Sequence, residues 1–168
     1  MITLHEITVI HAPLPRCFDL ARSIEVHLLG NTHFGEQATA GTCSGLIGPG
    51  QSVTWRARHF FVRQQLTSAI TAYDPPTYFQ DTVERGAFKS MQHDHTFRAL
   101  PPAPDNSPLT EMRDTFRFSA PLGPLGWIAE RIILRRYMHN LLAERNAIIK
   151  QVAESNHWRG YLPSGVGP

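Results

Sequence analysis

The spacing of apolar residues changes once along this chain, and that change limits the folds open to it. From residue 38 to residue 119, apolar and polar residues alternate in short segments, as in half-buried β-strands. After Pro121 the apolar residues recur at helical spacing, at Leu134, Met138, Leu141, Arg145, Ile148 and Val152, with Arg145 as a polar interruption. A series of strands closed by one long helix predicts an α+β architecture, with a curved antiparallel sheet of about seven strands wrapped around that helix.

Turn residues divide the chain into elements. A first strand over residues 4–11 precedes two short helices. Further strands are predicted over residues 38–45, 52–60, 62–73, 77–85, 90–100 and 109–119. The long helix is predicted over roughly 124–155. We interpret residues 1–155 as a single domain, and we expect the glycine- and proline-rich segment 156–168 to be a flexible tail.

Composition and charge exclude several classes of function. A chain of 168 residues with 42% hydrophobic residues can form one domain with a substantial core. The net charge of +2 is too small to indicate nucleic-acid binding. No segment approaches the roughly 18 consecutive apolar residues of a membrane span, and residues 1–6 do not begin a signal peptide. Cys17 and Cys43 form no CxxC pair, so a reduced cytoplasmic protein is the simpler interpretation than a disulfide between them.

Two predicted strands carry titratable residues on the face that should be buried. Because alternate strand residues share a face, the first row is Met91, His93, His95 and Phe97, and the second is Met112, Asp114, Phe116 and Phe118. A buried ionisable group must be paired, neutralised or functional. With the two strands as neighbours, Asp114 can fix the tautomer of one imidazole, while the other meets a ligand oxygen or acts as a general base. A purely structural polar cluster, ligand recognition and catalysis all remain open.

Two histidines and a carboxylate are compatible with a metal site. However, spacing fixes no third His or Cys, so the sequence predicts no metal. The chain also lacks a glycine-rich phosphate loop, a nucleophile elbow and a nucleotide fingerprint, and we therefore expect no cofactor.

Other predicted strands add inward-facing residues of mixed polarity, which is how small-molecule pockets are built. Ordinary core packing is the alternative for each of them. Arg56 and Arg58 are predicted on the outer face, and the basic residues of the long helix, including Arg145, on a solvated face. The candidate ligand-binding residues are Trp55, His59, Gln64, Leu66, Ser68, Phe79, Asp81, His93, His95, Phe97, Asp114, Phe116 and Met138.

Over about residues 3–154 the chain resembles the START-like, or SRPBCC, helix-grip superfamily. The resemblance is carried by the element order, by Ala12-Pro13 with Phe18-Asp19-Leu20-Ala21, and by Thr71-Ala72-Tyr73-Asp74-Pro75-Pro76. A closer resemblance is to a bacterial subgroup described as cell-division-inhibitor-like. Its matching segments are Gly45-Leu46-Ile47-Gly48, Val53-Thr54-Trp55-Arg56-Ala57-Arg58-His59, His93-Asp94-His95-Thr96-Phe97, Pro121-Leu122-Gly123-Pro124-Leu125-Gly126 and Arg135-Arg136-Tyr137.

The resemblance implies a cavity between the sheet and the long helix. The leading hypothesis is that this cavity binds a small apolar or amphipathic molecule, with no nucleic acid and no membrane span involved. One alternative is an enzyme of cyclase or dehydratase type in which His93 or His95 shuttles a proton. Another is an interaction protein linked to cell division. No particular oligomeric state is predicted.

Overall fold

A computed structural model describes residues 1–32, 35–59, 61–119 and 134–163. Seven strands and three α-helices lie within these ranges. In chain order they are β1 (Ile2–Ile10), α1 (Leu14–Ala21), α2 (Ile24–Gly30), β2 (Gln37–Gly41), β3 (Ser52–His59), β4 (Val62–Asp74), β5 (Tyr78–Gly86), β6 (Ser90–Leu100), β7 (Leu109–Ser119) and α3 (Arg135–Glu154), followed by a 3-10 helix (Asn156–Gly160).

The seven strands form one curved antiparallel sheet in the order β1-β7-β6-β5-β4-β3-β2. Every strand from β2 to β7 lies beside its neighbour in sequence, and β1 pairs with β7. The predicted α+β fold and its sheet are confirmed. Strand β2 is shorter than predicted because Gly41, with φ of 73°, turns the chain out of the extended conformation.

Irregular pairing between β4 and β5 interrupts the regular ladder. The register shifts between Thr67 and Ser68 and again between Ile70 and Ala72. Bulges of this kind bend a strand and increase its twist. Gly86 at the end of β5 has φ of 135°, and a Cβ atom there would lie 2.3 Å from the Gln65 carbonyl oxygen. The bend therefore brings two backbones into contact at a position that only glycine fits.

The helices lie against the sheet and form the core with it. Phe18 of α1 makes edge-on ring contacts with Tyr73, Phe79 and Phe97 at centroid distances of 5.5–5.6 Å. Helix α3 contacts β1, α1 and α2. Its buried residues are Leu142, Asn146, Ile149, Val152 and Ala153. The predicted start of this helix near residue 124 falls outside the described residues.

The segment after α3 packs on the rest of the molecule. The Arg16 guanidinium lies 4.2 Å from the centroid of the Trp158 ring. Leu162 is only 5% exposed and belongs to the hydrophobic core. The prediction of a flexible tail is therefore wrong for residues 156–163, because these two large apolar side chains have a surface to bury against. Residues 164–168 lie outside the described residues.

Two side chains of α3 reach the edge of the sheet at β1. Lys150 Nζ donates to the Val9 carbonyl at 2.6 Å, and the Glu154 carboxylate accepts from the backbone N–H of His11 at 2.8 Å. These contacts join the end of the helix to the end of the first strand.

The two cysteines are not joined by a disulfide. Cys17 is buried, Cys43 is exposed, and both are free thiols.

In the described ranges, no helix has the length and apolarity needed to cross a membrane.

Candidate functional site

A cavity of about 640 Å³ lies between the sheet and helices α2 and α3. Small-molecule sites commonly measure about 300–1,000 Å³. The wall is mainly apolar, and its sheet side includes Val53, Trp55, Ile70, Phe79, Met91 and Phe116.

All but two of the predicted site residues line this cavity. Those that do are Trp55, His59, Gln64, Leu66, Ser68, Phe79, Asp81, His93, His95, Phe116 and Met138. The exceptions are Phe97 and Asp114. The Phe97 ring packs on Phe18 within the aromatic core, and Asp114 is fully buried behind the two histidines.

Three adjacent strands bring two histidines and two aspartates together. In the sheet register, Asp81 of β5 lies opposite His93 of β6, and His95 of β6 lies opposite Asp114 of β7. The Asp114 Oδ1 atom is 2.9 Å from His93 Nε2 and 2.7 Å from His95 Nδ1. The Asp81 Oδ2 atom is 3.1 Å from His95 Nε2 and 3.9 Å from His93 Nδ1. Each imidazole therefore lies between a deep carboxylate and one at the cavity wall.

Helix α3 supplies a second layer behind this cluster. Asn146 Nδ2 donates to Asp114 Oδ2 at 2.7 Å, and Arg145 Nη1 lies 3.6 Å from Asp114 Oδ1. Arg145 also donates to the Ala21 carbonyl at 2.8 Å. Burial opposes ionisation of Asp114, but the hydrogen bond from His93 and the neighbouring His95 hold the pKa of Asp114 well below its usual range. Asp114 is thus an ionised carboxylate in the interior.

The same burial acts in the opposite sense on His93. Desolvation, with the adjacent His95, lowers the pKa of His93 to about 4, despite the opposing effect of Asp114 and Asp81. This imidazole is therefore neutral near pH 7. At Asp81, burial raises the pKa, but the hydrogen bond with His95 and the nearby His93 outweigh it and leave the pKa below the ordinary value.

A second polar group lines the cavity, and the sequence analysis missed most of it. The His27 ring stacks on Trp55 at 4.0 Å, and His27 Nε2 is 3.0 Å from a Glu36 carboxylate oxygen. His59 Nδ1 lies 2.6 Å from the Tyr137 hydroxyl. Burial opposes ionisation of Glu36, yet His27 holds the pKa of Glu36 below its usual value. His59 was a predicted site residue; the others lie in helices and a loop, where strand alternation gives no signal.

Arg145 was predicted on a solvated face, and that prediction is wrong. Its side chain is 11% exposed and is fixed between Asp114 and the Ala21 carbonyl. A signal was available in the sequence, because Arg145 falls in the apolar stripe between Leu141 and Ile148. A charged residue within such a stripe indicates an internal partner.

Three side chains of the cluster are of types that bind metal ions. Asp81, His93 and His95 each present one ligand atom, and these atoms lie within 4.8 Å of one another. The sequence analysis took Asp114 as the carboxylate beside the two histidines and predicted no metal, because spacing fixed no third His or Cys. In the structure, Asp81 is the carboxylate that groups with the ligand atoms of the two histidines.

Comparison with protein-family models finds no match, and comparison with curated proteins finds none either. Solved structures do match. A protein from Thermus thermophilus is 14% identical with a TM-score of 0.67, over 92% of this chain and 100% of that one. A protein from Nitrosospira multiformis is 12% identical with a TM-score of 0.59, over 94% and 100%. Ara h 8.0201 is 15% identical with a TM-score of 0.51, over 88% and 97%.

At these identities the similarity establishes the fold alone. The architecture is that of the helix-grip fold. The resemblance to a cell-division-inhibitor-like subgroup stays a prediction.

Proposed function

We propose that this protein binds a small, largely apolar molecule in the cavity between the sheet and helix α3. The observation that carries the proposal is a cavity of about 640 Å³ with mainly apolar walls and a polar cluster, Asp81, His93 and His95, on its surface. Apolar walls supply affinity, while a few placed polar groups fix the orientation of the bound molecule.

The polar cluster favours a ligand with an uncharged oxygen. A carboxylate accepts hydrogen bonds, and a neutral imidazole donates at one nitrogen and accepts at the other. Asp81 and Asp114 are both ionised, so an anionic ligand would meet repulsion in a site of low dielectric. A hydroxyl or carbonyl group at one end of an apolar molecule fits these requirements.

Binding is better supported than a proton shuttle through His93. A proton shuttle needs a pKa near the working pH. The pKa of His93, at about 4, makes that imidazole a weak base near neutral pH. The cyclase or dehydratase reaction through His95 and the link to cell division stay predictions from the sequence.

The test uses a neutral apolar probe, N-phenyl-1-naphthylamine, whose fluorescence increases in an apolar environment. We expect one equivalent to bind to the wild-type protein. Ala57 lines the cavity and is 6% exposed, so Ala57→Leu fills part of the space and should weaken binding by about tenfold or more. Arg56→Leu adds the same side chain on the exposed outer face of the same strand and should leave the affinity unchanged.

Native mass spectrometry of the purified protein gives an independent measurement of any small molecule retained from the cell. Circular dichroism of both variants checks that they are folded. Equal probe binding by the wild type and Ala57→Leu would contradict the proposal. So would a wild-type protein that takes up no probe and retains no small molecule.

A further inference from the structure

The two histidines of the polar cluster have four ring nitrogens near carboxylate oxygens, but as neutral imidazoles they carry only two N–H groups between them. Their four ring nitrogens lie between 2.7 and 3.9 Å from an oxygen of Asp114 or Asp81. A neutral imidazole carries a single N–H group. In the structure, His93 Nε2 is hydrogen-bonded to Asp114 Oδ1 at 2.9 Å and His95 Nε2 to Asp81 Oδ2 at 3.1 Å, while the buried His95 Nδ1 has no hydrogen-bond partner. With the His95 proton on Nδ1, which lies 2.7 Å from Asp114 Oδ1, the Nε2 atom would be free to bind a cation together with Asp81 Oδ2 and His93 Nδ1.

We propose that Asp81, His93 and His95 bind a divalent first-row transition-metal ion, with Zn²⁺ as the best match. The ligand atoms are Asp81 Oδ2, His93 Nδ1 and His95 Nε2. Two imidazoles with one carboxylate form a donor set suited to this group of metals, whereas Ca²⁺ and Mg²⁺ prefer oxygen ligands.

Two of the three distances between the ligand atoms bracket the spacing that such an ion requires, and all three atoms lie within 4.8 Å of one another. Zn–N and Zn–O bonds of about 2.0–2.2 Å place tetrahedral ligand atoms about 3.3–3.6 Å apart. The Asp81 Oδ2 atom lies 3.1 Å from His95 Nε2 and 3.9 Å from His93 Nδ1, so the required spacing falls between the two. Three protein ligands leave the fourth position of the metal open towards the cavity.

Asp114 has the position of an orienting residue behind the ligands. Histidines that bind metals almost always donate their other ring N–H to a carboxylate, carbonyl or water, which fixes the tautomer. Asp114 Oδ1 is hydrogen-bonded to His93 Nε2 at 2.9 Å, and it lies 2.7 Å from His95 Nδ1, which makes no hydrogen bond in the structure. Asn146 holds the second oxygen of Asp114 at 2.7 Å, which keeps this carboxylate in place. The same carboxylate therefore orients His93 and lies in position to accept a hydrogen bond from His95 Nδ1 when Nε2 binds the metal.

The site does not depend on the apolar ligand of the proposed function. The wall of the cavity carries the three ligand groups whether or not the rest of the space is filled. An open metal position would nevertheless lie where the oxygen of a bound molecule is expected.

The experiment is a titration of untagged, chelator-treated protein with Co²⁺, followed by its visible d–d absorption, with Zn²⁺ as competitor. We expect one equivalent of Co²⁺ in a low-symmetry site, displaced by Zn²⁺. Asp81→Asn and His95→Gln should each weaken binding by about 100-fold or more, since loss of an outer-shell partner alone commonly costs about 10–100-fold. Asp94→Asn is the matched control, because Asp94 lies between the two histidines on the opposite face of β6 and bonds with Tyr78 and Gln80. It should bind Co²⁺ as the wild type does.

Stoichiometric binding lost in Asp81→Asn and kept in Asp94→Asn supports the site. Absence of stoichiometric binding by the wild type would overturn it, as would equal affinity in Asp81→Asn. Should His95→Gln fail to fold, Asp81→Asn decides the question, because its side chain is 20% exposed at the cavity wall and the substitution keeps its shape. Uptake of N-phenyl-1-naphthylamine by the same samples reports separately on the apolar cavity.

Discussion

At the scale of single residues, the interior of this protein depends on a buried charge held by a small set of partners. Asp114 is fully buried, and its Oδ2 atom accepts a hydrogen bond from Asn146, which is itself 1% exposed. A hydrogen bond to a buried charge contributes more than one between neutral groups. Asn146 therefore matters to folding even though it does not line the cavity.

We expect Asn146→Ala to lower the free energy of unfolding by about 2–3 kcal/mol, because Asp114 keeps its charge and loses a donor. Urea denaturation followed by circular dichroism measures this. Asn140→Ala, on the exposed side of the same helix, should change the stability by less than about 0.5 kcal/mol. Equal effects of the two substitutions would contradict the role given to Asn146.

Strand residues of the site are predictable from the sequence, and helix residues largely are not. Alternation places His93, His95 and Asp114 on buried faces, and the short loop after β6 makes their strands neighbours. Asp81 was expected inside the sheet, but its pairing with His93 depends on the register between β5 and β6, which no sequence pattern sets. Asn146 faces Asp114 only because of how α3 lies on the sheet, and periodicity does not fix that placement.

At the scale of elements, the curvature of the sheet depends on close backbone contact where β4 meets β5. Gly86 lies opposite Leu66, and the left-handed φ of Gly86 combines with the short approach to the Gln65 carbonyl. A side chain at this position meets both steric and conformational obstacles.

Gly86→Ala should therefore destabilise the protein by about 2–3 kcal/mol, combining an unfavourable φ with a clash against backbone atoms. Thermal denaturation gives the comparison. Gly160→Ala is the control, since a Cβ there has open space around it. If Gly86→Ala were as stable as the control, the close approach of β4 to Gly86 would be wrong.

Element boundaries follow from the sequence wherever glycine or proline ends a segment. The bounds of β6 and β7 agree with the predicted ranges, because Pro101 and Pro108 separate them and neither can continue a ladder. The bulges of β4 were not predicted. They arise where the strand bends to follow the curved sheet, and their flanking residues, Thr67, Ser68, Ile70 and Ala72, form an ordinary strand sequence.

At the scale of the whole molecule, the packed core extends beyond the last long helix. Leu162 is buried on the same core as Phe18 and Ile149. Composition alone suggested a tail here, because glycine and proline are frequent. Composition gives no information on the contacts that Trp158 makes with Arg16 of α1 or on the burial of Leu162 in the core.

Leu162→Ala should lower the free energy of unfolding by about 2–3 kcal/mol, through lost burial and the cavity left behind. Chemical denaturation with tryptophan fluorescence would report both the loss and any change near Trp158. Leu29→Ala, at a side chain 38% exposed, should cost less than about 1 kcal/mol. An unchanged denaturation midpoint for Leu162→Ala would contradict the packing of residues 156–163 on the core.

The contacts between α3 and β1 have a consequence for how copies of this protein behave towards each other. An edge strand with unpaired backbone groups is a template for a strand of another molecule, and β1 also exposes the apolar side chains Ile7 and Val9. Lys150 donates a hydrogen bond to the Val9 carbonyl, and Glu154 accepts one from the N–H of His11 immediately beyond the strand. These two backbone groups are therefore not available to another strand. The helix that lines the cavity thus also hinders the addition of a strand from another molecule at the C-terminal end of this edge.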